Sequence, residues 1–168
     1  MYKNEILDAL RGTVVNTRDL VETHRLDMWA SFMDPNLAAH PKIYEVNYLK
    51  NDRSKWNDYQ KMESNVFYPM RKKEVEMGYR AGWQAYQLKS PMGSSIPYSH
   101  ASVNVYKDWE QYMMPKDRSV IQQAVHPKKT LDEIDAIQYQ MMDLVRTEEW
   151  HLIDYVQKEN PMAEKQEN

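Results

Sequence analysis

Alternation of apolar and polar positions is clearest between Gly78 and Tyr106. Tyr98–Tyr106 sets Ala101, Val103 and Val105 on one face and His100, Ser102 and Asn104 on the other, and Arg80–Leu88 carries Trp83 and Tyr86. The Pro/Gly/Ser segment between them, Ser90–Pro97, predicts a hairpin connection. Upstream, Ile43–Leu49 reads as a strand with Tyr44, Val46 and Tyr48 on one face and Glu45 and Asn47 on the other. In Val21–Phe32 the alternation of Leu26, Met28, Ala30 and Phe32 favours a strand, but Trp29 breaks it. Glu148–Val156 reads as a closing strand.

Three- and four-residue spacing marks the helices. Ile6, Leu7, Leu10 and Val14 predict a helix over Asn4–Leu20. Trp56, Tyr59, Met62, Val66 and Met70 form a second stripe, with Phe67 beside it. Pro69 lies inside that stripe and is expected to kink or split it, because it lacks an N–H and its ring clashes with the preceding turn. Arg71-Lys72-Lys73, followed by Glu74 and Glu76, reads as a solvated face. Gly78 is placed as the C′ residue. Short helices follow at Asp108–Met114 and Ser119–Val125. Thr130 with Glu133 matches a capping box and opens a last helix to about Arg146, its stripe running through Leu131, Ile134, Ile137, Met141 and Leu144.

From Ile43 to Val156 the order is strand, helix, strand, strand, helix, strand. That order predicts an α+β fold, a ferredoxin-like βαββαβ antiparallel sheet with its helices on one face. The other face then needs a cover, and pairing with a second sheet into an α+β barrel provides one. The expected partner is a second copy of the chain or an intrachain or interchain sheet. The division is 1–42 as an N-terminal helix/strand extension and linker, 43–156 as the module, and 157–168 as a disordered tail. Asp19–Thr23 resembles Asp143–Thr147, and the same register sets Leu7 against Leu131, Leu10 against Ile134, Met28 against Leu152 and Phe32 against Val156. Residues 1–33 are therefore read as the remnant of a preceding repeat, or as an arm for a larger assembly.

A net charge of −3 argues against nucleic acid as a partner, since gripping it takes a strong basic excess. No apolar run reaches the ~18 residues of a membrane span. No signal peptide is visible at Met1–Leu10, which is expected of a soluble cytoplasmic protein, or of an exported one in processed form. Cysteine is absent, which removes disulfides and thiol chemistry. Twelve Tyr and five Trp beside two Phe suit half-buried faces and pocket walls, because these rings carry a polar tip.

EVNYLK at Glu45–Lys50, NVFYPM at Asn65–Met70, GWQAY at Gly82–Tyr86, PYSHASVNVY ending at Tyr106 and LVRTEEWHLIDYV at Leu144–Val156 together resemble uncharacterised Bacteroidetes-type proteins of the dimeric α+β barrel superfamily. The resemblance covers Ile43–Val156. It implies a barrel built from two sheets and a pocket inside the barrel or between sheet and helices. The superfamily includes monooxygenases of antibiotic biosynthesis and haem-degrading enzymes, so the resemblance implies no single chemistry.

Glu45 and Asn47 share a face of one strand, and His100, Ser102 and Asn104 a face of its expected neighbour. The ligand-pocket candidates are Glu45, Asn47, Trp83, Tyr86, His100, Asn104 and Trp150, with Trp83 and Trp150 as walls. A His100–Glu45 general-base pair is one use of the patch and a hydrogen-bonded wet interior is the other. No histidine spacing matches a metal motif, and no cofactor is expected from the residues. The resemblance alone brings in haem. Two functions follow: a paired barrel that binds a small ligand or serves assembly, and an oxygenase-like or haem-dependent enzyme. The segment Ser90–Pro97 serves as a hairpin connection or as a lid.

Overall fold

The computed structural model describes residues 23–93 and 95–155. Five strands form one antiparallel sheet: β1 (Arg25–Met33), β2 (Ile43–Lys50), β3 (Gly82–Ser90), β4 (His100–Tyr106) and β5 (Asp143–His151). Their spatial order is β1-β3-β4-β2-β5. The helices are α1 (Trp56–Met62), α2 (Tyr68–Glu76), α3 (Trp109–Met113), α4 (Arg118–Val125) and α5 (Leu131–Met141). The protein is thus α+β, and the sheet with its helices fits a ferredoxin-like arrangement. Among the described residues no helix is long and apolar enough to cross a membrane. The predicted helix Asn4–Leu20, most of the repeat and the tail lie outside the described residues.

The ambiguity at Trp29 has a structural cause. β1 pairs with β3 in two registers, Met28 opposite Tyr86 and Ala30 opposite Ala85, so Trp29 is the extra residue of a bulge. The bulge lets Trp29 join Phe32 around the buried Trp83, with ring centroids 6.4 and 5.9 Å away. β1 therefore docks inside its own chain, as an edge strand beside β3. Its close approach needs Gly82: a Cβ there would meet the Met33 side chain and lie 2.8 Å from the Phe32 carbonyl oxygen.

The expected break at Pro69 takes the form of a π-helical turn, Glu63–Phe67, between α1 and α2. Pro69 then falls in the first turn of α2, where a missing N–H costs little. The helix ends at Gly78, φ +75°, with Tyr79 N–H donating to Glu74 O at 2.8 Å and Gly78 N–H to Val75 O at 2.9 Å. These two bonds are a Schellman close. Asp108, Asp117 and Thr130 cap the three later helices, and the Thr130/Glu133 capping box is complete.

The last helix is shorter than its sequence pattern suggests. It stops at Met141, and the final strand is Asp143–His151, not Glu148–Val156. Two side chains from the β2 end take its terminal carbonyls: Asn51 Nδ2 donates to Met141 O at 2.7 Å and Lys55 Nζ to Gln140 O at 3.1 Å. Leu144 then pairs with Leu49 in the sheet and is exposed, not part of a helical stripe. β5 also begins well before the position the repeat would give it.

The helix layer has its own core of Tyr59, Met62, Phe67, Met70, Ile121 and Ile134, seated on Leu49 of the sheet. Replacing Gly82 by valine is expected to cost about 1–3 kcal/mol by forcing β1 away from β3. Amide exchange would show lost protection concentrated at Leu26–Phe32. Unchanged protection there would refute the close-approach role.

Candidate functional site

The pairing register sorts the candidate residues. One face carries Trp83, Asn104, Glu45 and Glu149 in one rung, and Ala85, Ser102, Asn47 and Thr147 in the next. His100 lies opposite Leu49 one rung further. The other face carries Gln84, Val103, Val46 and Glu148, then Tyr86, Ala101, Tyr48 and Arg146. The helices lie over the first face, where Phe67, Glu63 and Arg71 share a cavity with Glu45, Ser102 and Asn104. The helices thus cover the polar side of β4, while its apolar side, Ala101, Val103 and Val105, is buried in a second core with Val46, Tyr48, Leu88 and Tyr98. Glu45, Asn47, Trp83, His100 and Asn104 are together beneath the helices. Tyr86 and Trp150 are on the opposite face, so Trp150 does not wall the patch that Trp83 walls.

A chain of polar contacts runs through the covered face. Buried Arg80, at the start of the β3 segment, pairs with buried Glu74 of α2 and donates to Asn104 Oδ1. Asn104 Nδ2 donates to Glu45 Oε1, which also accepts from Asn47 Nδ2 at 3.2 Å. Asn47 Oδ1 accepts from Thr147 Oγ1 at 2.7 Å. Burial pushes the Arg80 guanidinium down to about 10, against the opposing pull of Glu74. The Arg71–Glu76 segment is therefore only partly a solvated face. Arg71 Nη1 donates to Glu74 at 3.0 and 3.3 Å, and both residues turn inward.

His100 and Glu45 do not form a base pair. His100 Nδ1 lies 2.9 Å from Asn51 Oδ1 and 3.1 Å from Ser99 Oγ, while Glu45 is held by Asn104 and Asn47. The His100 ring packs against Tyr59 and Trp56, centroids 4.5 and 5.5 Å away, and its Nε2 is buried without a partner. Burial, helped by the positive charge of Lys89, lowers its pKa from 6.5 to about 4. His100 is thus a neutral part of the core near pH 7.

Glu63 is the site residue that sequence reasoning missed. It sits on the π-helical turn, 5% exposed, and lines a cavity of about 230 Å³ with Glu45, Asn47, Arg71, Ser102 and Asn104. Loss of water raises its carboxyl from 4.5 to about 7, against the lowering pull of Arg71 and of the Tyr59 hydroxyl. The Tyr59 hydroxyl approaches it without reaching hydrogen-bond geometry. A carboxyl half-ionised at neutral pH inside a cavity can exchange a proton with a ligand. The available signal was its position: Glu63 follows Tyr59 by four residues and precedes Phe67 by four, so it falls on the buried stripe.

The opposite face is a different environment. Leu26, Tyr44, Val46, Tyr86, Val103 and Trp150 help to line a concavity of about 480 Å³. A third cavity, about 430 Å³, lies between the β3–β4 loop and the start of α1, and Lys50 Nζ donates to Ile96 O across it.

Three histidines are engaged without a haem: His100 Nε2 is closed in by two rings, His126 Nε2 lies 3.0 Å from Val66 O, and His151 Nε2 pairs with Glu149. Among the described residues no three His, Cys, Asp or Glu side chains are grouped to hold a metal ion. Comparison with protein-family models, curated proteins and solved structures returned no match.

Glu63 and His100 act oppositely on stability. Glu63 binds its proton more tightly when folded, so its contribution is full below about 4.5 and is lost as pH rises through about 7. His100 binds its proton less tightly when folded, so its contribution is full above about 6.5 and is lost as pH falls through about 4. Glu63→Gln is therefore expected to gain stability relative to the parent between pH 5 and 7, by about 3 kcal/mol at most, and to level off above. Urea unfolding at a series of pH values checks this. A pH-independent difference would refute the burial of an ionisable Glu63.

Proposed function

We propose that this protein is a paired α+β barrel that binds a small ligand, a member by resemblance of the dimeric α+β barrel superfamily. The observation that carries the pairing is the apolar concavity on the face away from the helices, where Leu26, Tyr44, Tyr86 and Trp150 rim the buried Val46, Ala101 and Val103. Read as a βαββαβ unit, β2, β3, β4 and β5 supply the four strands, and β1 widens the sheet beside β3. An apolar concave sheet face is the surface on which two such units close into a barrel.

A second copy of this chain suits that face because the apolar surface continues onto the β5 edge. Trp150 is 53% exposed and Ile153 is 97% exposed, with Val145 and Tyr155 also open to solvent. An edge strand bearing such residues is a liability for a lone chain. Pairing would bury Tyr44, Tyr86 and Trp150 in a shared interior and leave the helices outside. The cavity around Glu63 then stays within each protomer. It supports the ligand-binding reading because close-packed cores leave few voids larger than a water molecule.

Light scattering on the full chain is expected to give twice the mass of one chain. Tyr86→Lys, and separately Trp150→Lys, should shift the equilibrium to the single-chain mass without loss of circular dichroism. A parent protein that runs as a folded single chain at micromolar concentration would overturn the pairing.

A further inference from the structure

The proposed ligand-binding role leaves the ligand's chemistry open, and the cavity around Glu63 carries information about it. Among the described residues the Glu63 carboxyl accepts no hydrogen bond of normal geometry, although the side chain is 95% buried by its 5% exposure. A buried carboxyl without donors costs several kcal/mol unless something meets it. Arg71 faces it from α2 but is committed to Glu74, and Tyr59 faces it from α1 without bonding. Across the cavity stands Glu45, whose Oε1 takes the amides of Asn47 and Asn104. Ser102 Oγ accepts a hydrogen bond from Trp83 Nε1–H at 2.9 Å, so its own hydroxyl is available to donate, and Gln138 reaches the cavity from α5. Arg80 and Glu74 lie behind Asn104, and Lys116 lies beyond them over the Tyr106 ring.

Two carboxylates thus face one cavity, and the guanidinium in it is already paired. Leu49, Phe67 and Met142 supply an apolar wall. We propose that this cavity binds a small organic cation, an amine or amidine, ion-paired to Glu63 and facing Glu45, with its apolar body against Leu49, Phe67 and Met142. Protonation of Glu63 stands in for the cation when no ligand is bound. Binding therefore releases a proton from Glu63.

The test is an NMR titration of the full chain with benzylamine, benzoate and benzyl alcohol, which share a body and differ in charge. Benzylamine, a cation at both pH 6 and pH 8, is expected to shift the amides of Leu49, Phe67 and Ser102. It should bind roughly tenfold tighter at pH 8, as the ionised fraction of Glu63 rises across about 7. Glu63→Gln should weaken it at least tenfold and remove the pH dependence. Glu45→Gln is the second variant, expected to weaken amine binding while keeping the pH dependence. Benzoate or benzyl alcohol binding as tightly at these amides would overturn the cation and leave a ligand site standing. Silence from all three would overturn both the cation and this cavity as the ligand site. The pairing is judged separately by solution mass.

Discussion

The buried pair between Glu74 and Arg80 joins the helix layer to the sheet. Neither group would be inside without the other, because an unpaired charge left buried costs about 3–5 kcal/mol. Once the pair is inside, its remaining donors need partners, and Asn104, Glu45 and Asn47 supply them in sequence across β4 and β2. The polar stripe of the sheet is therefore committed to the helix side. The apolar stripe is left for the opposite face by strand alternation alone. The apolar concavity and the cavity under the helices are both consequences of that one placement.

Most elements were legible because local rules govern them. The Thr130/Glu133 box, the C′ position of Gly78, the hairpin around Ser90–Pro97 and the alternation in β2 and β4 each follow from neighbours in the chain. The grouping of Glu45, Asn47, His100 and Asn104 on one face followed from period two. Alternation separates two sets of side chains but does not say which set the helices cover, and here the covered set is the polar one. Trp150 was misplaced because the start of β5 depends on Asn51 and Lys55 ending the preceding helix, a contact between distant parts of the chain. Glu63 carries no sequence signal beyond its position on the stripe, and Arg71 and Glu74 read as solvated, because charged residues on a helix ordinarily are; only the tertiary pairing with Arg80 brings Arg71 and Glu74 inside.

The two faces of the sheet divide the aromatic residues by task. Trp83 and Tyr59 are buried beneath the helices with Trp56 half-buried beside them, and Trp83 also fixes Ser102 through its indole N–H. Tyr44, Tyr86 and Trp150 stand on the other side with their rings toward a shallow apolar basin. A protein with many Tyr and few Phe is suited to both, since each ring keeps a polar tip for water or a hydrogen bond. His100 belongs to the first group as a space-filling neutral ring anchored by Asn51, and Glu63 is the titrating group near neutrality on that side.

The π-helical turn at Glu63–Phe67 amounts to one residue inserted into an otherwise regular helix. Such an insertion rotates everything after it by about a quarter-turn relative to an uninterrupted α-helix. The two halves can therefore meet different demands: α1 lays Tyr59 against the His100 ring, and α2 delivers Glu74 to Arg80. The turn works as a phase shifter between two contact lines. A single-residue deletion inside it would leave the helix intact by every local criterion and still put the carboxylates of the second half out of step with the sheet.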